Sequence, residues 1–442
     1  MVVVAPERPA RKRRVRGLRL RFGSRPPRAR RGRSRPLTLL PQGFILLGVT
    51  FAVILAPGGS IVGGVSRVLC ALGVTGWAVL ADRWADLRPR ASLAIAFGTA
   101  GTVLGAGIGI PHAVEDGLSL RSAAGLCALL VGLTVLVLGL ITLLRTMPFR
   151  ARLLVFACIP LSLLFVMTPL VTTVAGVNPP PTMLGLTTPA DRGLAYDDIE
   201  LLTNDGLVLQ GWYVPSRNHA AVVLMHDSGG TRSSVLVHAV ALARMGYGVL
   251  LFDARGHGDS EGDAMTLGWG RERDIAAAVT FLSSRDDVDP AKIGLFGLGR
   301  GGEAALTEAA SDDRVSAVVA EGPGRRTPVD TVTLPFGPAG WAQGFNEMIS
   351  YAGTAVLRQA LPPRSLQGAI RNIAPRWVML IGEQGSIDAS RVYQQGSLTN
   401  VVVWELPDTP PSQAYDLHAA PWEEEVTTFF DRTLFPRTVP RQ

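Results

Sequence analysis

Cysteine is scarce, at three in 442 residues, and Cys70, Cys127 and Cys158 each lie inside an apolar stretch. A free thiol there behaves as a small buried hydrophobe. That leaves no disulfide framework and no thiolate metal site, and without any later Cys, cysteine usage cannot place the second half of the chain on either side of a membrane. Acid is missing from the amino-terminal tail: residues 1–36 hold fourteen Arg or Lys against one acid, Glu7, with Phe22 as the only aromatic. The formal charge of +7 therefore belongs to the tail, and the rest of the chain is slightly acidic. A basic run without interleaved aromatics is not patterned for nucleic acid, so no nucleic-acid partner is expected. Running directly into an apolar stretch, it suits the cytoplasmic face of a bilayer and its anionic headgroups.

Five apolar stretches follow, at residues 37–56, 60–81, 91–111, 122–144 and 153–176. Each approaches the ~20 residues that a helix needs to cross a bilayer, and in lipid the backbone can be satisfied only within the helix. None carries Asp, Glu or Lys mid-span, which argues against a proton relay or ion pathway and for an anchor. The glycines of the third stretch, GTAGTVLGAGIGI, are expected to allow close helix packing. The loops DRWADLRPR and RTMPFRAR carry three Arg each, whereas the first loop has none and the third is HAVEDGLSLR. By the positive-inside rule the amino terminus is cytoplasmic, and five crossings place residues after Val177 outside. Further spans, rather than a cleavage site, follow the first apolar core, so the start does not read as a signal peptide.

Asn178 to Pro181 begins a linker, residues 178–194, after which short β-rich runs alternate with amphipathic helices. Strands are expected at Ile199–Thr203, Leu207–Val214, Ala221–Met225, Gly248–Phe252, Ile293–Phe296, Val315–Ala320, Trp377–Ile381 and Val401–Leu406. Asn204-Asp205-Gly206 is a hairpin signal between the first two. The fold class is α/β: a doubly wound, mostly parallel eight-stranded sheet over residues 195–436, preceded by an all-α transmembrane bundle over 37–177. A long insertion near 321–375 is placed as a cap, and Trp341, Phe345, Met348, Ile349 and Ala352 recur within it at helical spacing. The expectation is that this stripe packs over the cleft rather than facing the membrane.

VVLMHDSGG (222–230), VLLFDARGHGDSEG (249–262), IGLFGLGRGGEAAL (293–306) and the final strand and helix over 401–434 together resemble the α/β-hydrolase superfamily, in its dienelactone-hydrolase and peptidase-like group. The resemblance implies a nucleophile elbow G-x-S-x-G, an acid after the next-to-last strand and a His after the last. The elbow here reads Gly297-Leu298-Gly299-Arg300-Gly301, so the glycine frame is kept and Gly299 stands where Ser would be. The acid position falls on Gly385, with Glu383 or Asp388 as substitutes if the loop shifts, and the His position falls on Pro411. None of Gly299, Gly385 and Pro411 can act as nucleophile, acid or base, so no catalytic residues are expected.

Around the cleft, His226 is expected to be structural, Asp227 to oppose negative charge at the oxyanion loop, and Ser228 to present a backbone N–H. Arg300, at a helix start, can hold an anionic ligand or pair with Asp227 and close the site. Asp253, Arg255 and His257 are read as structural pairing, and His418 as a surface or capping residue. No metal or cofactor is implied. The leading expectation is a membrane-tethered, non-catalytic protein that binds a small molecule or protein partner in the former active-site cleft. A hydrolase of esters, amides or lipids with rearranged groups is the alternative, and a ligand-free membrane scaffold is a third class.

Overall fold

A computed structural model describes residues 40–55, 61–330, 337–358 and 360–435; the basic tail lies outside the described residues. Five apolar helices come first: α1 (Leu40–Leu55), α2 (Ile61–Trp84), α3 (Leu87–Glu115), α4 (Leu120–Arg145) and α5 (Phe149–Val177). The last four are long and apolar enough to cross a membrane, whereas the described part of α1 is shorter. Their outer faces stay apolar and exposed. No residue of Phe149–Ser162 is buried, and Leu153, Phe156 and Leu163 are more than half exposed. Such a surface is stable in lipid and costly in water.

Glycine sets the packing of α3 against α4. A Cβ on Gly132 would overlap the Gly101 and Thr102 backbone, and Gly109 and Gly125 exclude one another in the same way. Small residues at helical spacing let the two backbones approach as they do between membrane helices. The glycines of the third stretch thus pack helices closely, as expected. The loops sort to two ends: Arg88 donates to the Thr146 carbonyl at one (3.3 Å), and Arg121 to Asn178 Oδ1 at the other (3.1 Å).

Eight strands follow: β1 (Asp197–Leu202), β2 (Val208–Val214), β3 (Ala221–Met225), β4 (Gly248–Phe252), β5 (Ile293–Leu298), β6 (Val315–Glu321), β7 (Trp377–Glu383) and β8 (Val401–Leu406). The sheet order is β1-β2-β4-β3-β5-β6-β7-β8, antiparallel for β1–β2 and β2–β4 and parallel beyond. All eight strands lie where the sequence placed them, but β5, β6 and β7 run one or two residues further and end on Leu298, Glu321 and Glu383. Central strands such as β3 are buried along their whole length, so they read as continuous apolar runs.

Helices α6 (Leu236–Arg244) and α12 (Ala414–Leu434) cover one face, and α7 (Arg271–Ser283), α8 (Arg300–Ala309), α10 (Leu366–Ile373) and α11 (Ile387–Gln395) the other. Within the insertion, α10 buries Leu366, Ile370 and Ile373 in the core and belongs to the sheet layer, leaving α9 (Pro338–Arg358) as the cap helix.

The α3–α4 seam predicts that Gly132→Leu lowers the melting temperature of the full chain in detergent, since overpacking costs about 1–3 kcal/mol. Gly76→Leu, where an added Cβ meets nothing within 4 Å, leaves it unchanged. Equal losses in both variants would show that the seam does not depend on glycine.

Candidate functional site

At the carboxyl end of β5 the chain turns sharply into α8, and Gly299 sits at the tip with φ 47° and ψ −115°. Its N–H donates to the Glu321 carbonyl at the end of β6 (2.8 Å). Glycine is needed here because the conformation is left-handed and because a Cβ would overlap the Asp227 carboxylate. Gly301 is needed too, since a Cβ there would meet the Met225 and His226 backbone. The elbow therefore exists as geometry without its nucleophile.

What occupies that place is Asp227, carried there by the turn after β3. Its Oδ1 accepts from the N–H of Arg300 (2.8 Å) and from its own neighbour Ser228 N–H (2.6 Å). These are the two backbone donors, one after the elbow residue and one on the oxyanion loop, that would face a developing oxyanion. The chain's own carboxylate fills the hole. Arg271, wholly buried, stands nearby and donates to the His226 carbonyl (3.3 Å) and to His257 Nε2 (3.1 Å). Burial pulls its guanidinium down to about 10, and the Asp227 charge works against that fall.

No imidazole serves this centre. His226 Nδ1 is bonded to the Asp227 carbonyl (2.6 Å) and its Nε2 accepts from Ala254 N–H (3.0 Å), so both nitrogens are engaged. Burial, then Arg271, holds it far below the usual histidine range, in its neutral form. His257 Nδ1 bonds the Arg255 carbonyl (2.9 Å), and burial and Arg271 pull this ring down to about 4. The Ser228 hydroxyl donates to the Thr266 carbonyl (2.7 Å), and no described His bonds a serine hydroxyl. His418 breaks the helical dihedrals of α12 and bonds Thr409 Oγ1 (2.9 Å). The D-x-R-G turn is structural: Asp253 pairs with Arg232, and Arg255 with Asp274 (2.7 Å) and Asp205 (2.9 Å).

Arg300 does close the site against Asp227, but through its backbone N–H. Its guanidinium turns instead to Glu303 (2.8 Å) and the Arg325 carbonyl (2.8 Å). Gly385 is exposed in the turn after β7 with nothing within 4 Å of an added Cβ, and Asp388 is also exposed. Pro411 lies exposed in the loop before α12.

The carboxylate that matters after β7 is Glu383, buried, accepting from the N–H groups of Ser412 (2.7 Å), Gln413 (3.1 Å) and Ala414 (3.1 Å). It caps α12 and fastens the loop that carries Pro411. Glu321, which the sequence reading passed over, meets it: the two carboxyls are hydrogen-bonded, and Glu321 Oε2 accepts from Trp422 Nε1 (3.0 Å). Burial and then the Glu383 charge push Glu321 up to about 8, and burial raises Glu383 as well, so the pair keeps a proton. A charged residue closing the apolar run VSAVVAE was the available signal.

Between α8, α9 and α5 lies a cavity of about 650 Å³ lined by Arg300, Arg325, Arg326, Asn346, Glu347 and Tyr351 among others. The polar face of α9 borders it. The expected packing of the apolar stripe over the cleft is thus reversed: Trp341 is 82% and Met348 51% exposed, and Phe345 packs edge-on to Phe165 of α5 at 5.7 Å. The stripe runs down a helix whose partner is the last membrane-length helix, and its polar flank is the one that can meet the arginines.

Residues 200–404 match the family model for X-Pro dipeptidyl-peptidase (S15 family). With the sheet order and the glycine-framed elbow, that match identifies the α/β-hydrolase fold. Curated relatives match the chain over short segments. An uncharacterized protein of Mycobacterium tuberculosis, Rv2307c, is 39% identical over 112 residues, which is 25% of this chain and 39% of that protein. The thiohydrolase aneE of Aspergillus aculeatus is 35% identical over 128 residues, 28% of this chain and 40% of that protein. The quorum-quenching protein AidA of Acinetobacter baumannii is 34% identical over 131 residues, 28% of this chain and 43% of that protein. The chain thus spans about two fifths of the length of the curated relatives it matches. Among solved structures, the Pyrococcus furiosus esterase Pf2001 aligns at 22% identity with TM-score 0.47, covering 58% of this chain and all of that one.

The carboxyl pair predicts a pH dependence. Folded Glu321 keeps a proton that an unfolded carboxyl, near 4.5, gives up, so its contribution to stability is full below about pH 4.5 and is lost as pH rises through about 8. Glu321→Gln keeps an acceptor for Trp422 and should flatten the fall in melting temperature between about pH 5 and 8, by up to roughly 3 °C per pH unit. An unchanged slope in the variant would remove the proton from Glu321.

Proposed function

We propose that this chain is a membrane-tethered α/β-hydrolase-fold protein that does no serine-type hydrolysis and instead binds a ligand in the cleft above the elbow. The observation that carries the reading is Asp227 Oδ1, seated on the Arg300 and Ser228 N–H groups at the place of the missing nucleophile. A tetrahedral oxyanion would have to expel a fixed negative charge to reach those donors, and no described His bonds a serine hydroxyl. The relatives' names speak for hydrolysis, and a hydrolase with rearranged groups would need a base next to Asp227 or Ser228. The imidazoles nearest them, His226 and His257, are neutral and fully engaged. The polar cleft remains open to a ligand.

Two experiments test this. Ester turnover by the full chain should sit at background, with no fluorophosphonate labelling. Gly299→Ser alone should lower stability, because its side chain collides with the Asp227 carboxylate, and adding Asp227→Gly should recover most of that loss, a coupling on the order of 1–3 kcal/mol. Robust turnover abolished by Ser228→Ala or His418→Ala would establish the rearranged hydrolase instead.

The tether is placed with the amino terminus in the cytoplasm and the hydrolase-like domain outside. The arginines of the loops around residues 82–90 and 145–152 support that orientation. A reporter fused after Gln442 should be active only outside the cytoplasm; activity inside would mean an even number of crossings.

A further inference from the structure

Helix α9 runs parallel to α5, and the register can be followed contact by contact. Arg358 donates to the Val177 carbonyl and to Asp263 (2.9 Å); Gly353 packs on Thr173; Ser350 Oγ reaches the Pro169 carbonyl (3.5 Å); and Phe345 meets Phe165. Phe165 is twelve residues from the end of α5, about 18 Å along its axis. At 29 residues α5 is roughly 43 Å long, against a hydrocarbon core of about 30 Å. Its last turns can therefore rise above the hydrocarbon, while Phe165, Phe345 and Trp341 reach the bilayer's edge. An exposed Trp and Met on an otherwise polar-backed helix suit that depth.

Two cavities meet on this helix. The arginine-lined cavity of about 650 Å³ shares Ala342 with an apolar groove of about 770 Å³ walled by Phe165, Trp341, Phe345 and Gly337. Arg326 is wholly buried and its Nη2 donates to Glu272 (2.9 Å), but its Nε and Nη1, like Arg325 Nη1 and Asn346 Oδ1, have no partner among the described residues. Glu347 is the acidic residue among those lining the cavity, and Arg325 already pairs with it (2.6 Å). Buried guanidinium donors without acceptors call for an anionic ligand, and an apolar groove opening from the same cavity toward the membrane calls for a chain attached to it.

We propose that the cleft holds an anionic membrane lipid, its phosphate among Arg300, Arg325 and Arg326 and an acyl chain in the groove between α9 and α5. This rests on the reading of the cleft as a binding site on a membrane-tethered protein, and it names the ligand class. The lipid enters sideways from the outer leaflet, along the exposed stripe of α9, so the cap helix is the entrance rather than a lid. Arginine suits the task because it offers planar, paired donors to phosphate oxygens.

The test uses the purified full chain in a neutral detergent. Dioleoyl phosphatidylglycerol should raise the melting temperature in a concentration-dependent way, dioleoyl phosphatidylcholine at equal mole fraction should not, and glycerol 3-phosphate alone should give no shift at the same concentration. Arg325→Gln should weaken phosphatidylglycerol binding about tenfold. Ala342→Trp, on the wall shared by cavity and groove, should weaken it comparably. If Arg325→Gln alters the melting temperature without lipid, the Ala342→Trp arm decides. Equal shifts with both lipids, or undiminished binding in Ala342→Trp, would overturn the proposal, and a full shift with glycerol 3-phosphate would replace the lipid with a soluble phosphate. Ester turnover accompanied by phosphatidylglycerol selectivity would sink the non-catalytic reading and leave lipid recognition standing.

Discussion

One carboxylate governs the centre of this domain. Asp227 Oδ1 takes both the first N–H of the elbow helix and the N–H of Ser228, so the amino end of α8, with its partial positive charge, is neutralised from within the chain. That seat accounts for its surroundings. Gly299 has to lack a side chain because the space is taken. Arg271 can remain buried without a carboxylate in direct contact because Asp227 offsets its charge from nearby. The Arg300 guanidinium, whose backbone already serves Asp227, is left free to turn toward Glu303 and the cavity wall.

A second carboxyl centre organises the neighbouring strand ends. Glu383 stands at the tip of β7, two residues before Gly385, the position on which the superfamily resemblance places the acid that orients the histidine, and it grips three N–H groups at the start of α12. Glu321, one strand over, completes the pair through a shared proton and Trp422. Two carboxyls that close cannot both ionise in a dry setting, so one becomes a donor and the pair acts as a structural clasp. The loop that would present a histidine is thereby tied down, and the site's remaining polarity moves toward the arginines under α9.

Much of the fold could be read from the sequence, because buried parallel strands announce themselves as short apolar runs between turn residues. Ala221–Met225, Gly248–Phe252 and Val401–Leu406 fall where they were expected to the residue. The loss of the nucleophile at Gly299 was equally legible, since a glycine frame with no serine needs no coordinates. What took its place was not. Nothing local in His226-Asp227-Ser228 reveals that the carboxylate bridges to a helix 73 residues away. The Glu321–Glu383 pair is similarly non-local, joining the ends of two strands that only the sheet brings together. The apolar stripe of α9 was found, but its partner was misjudged, because periodicity gives a helix two faces without saying which one meets the protein.

That reversal links the two halves of the molecule. If the apolar face of α9 covered the cleft, the membrane helices would be a tether and nothing more. Instead its polar face borders the cleft while its apolar face follows α5, so the same helix forms a wall of the cavity and an edge of the membrane-length bundle. Arg358 closes the arrangement, joining the end of α9 to the last carbonyl of α5 and to Asp263 and the Ala264 carbonyl beside the D-x-R-G turn. The cavity and the membrane-length bundle are therefore joined through one helix, by packed side chains and hydrogen bonds. The same helix thus presents its polar face to the arginines of the cavity and its apolar face to the surface of the bundle, so that neither can be repacked without disturbing the other.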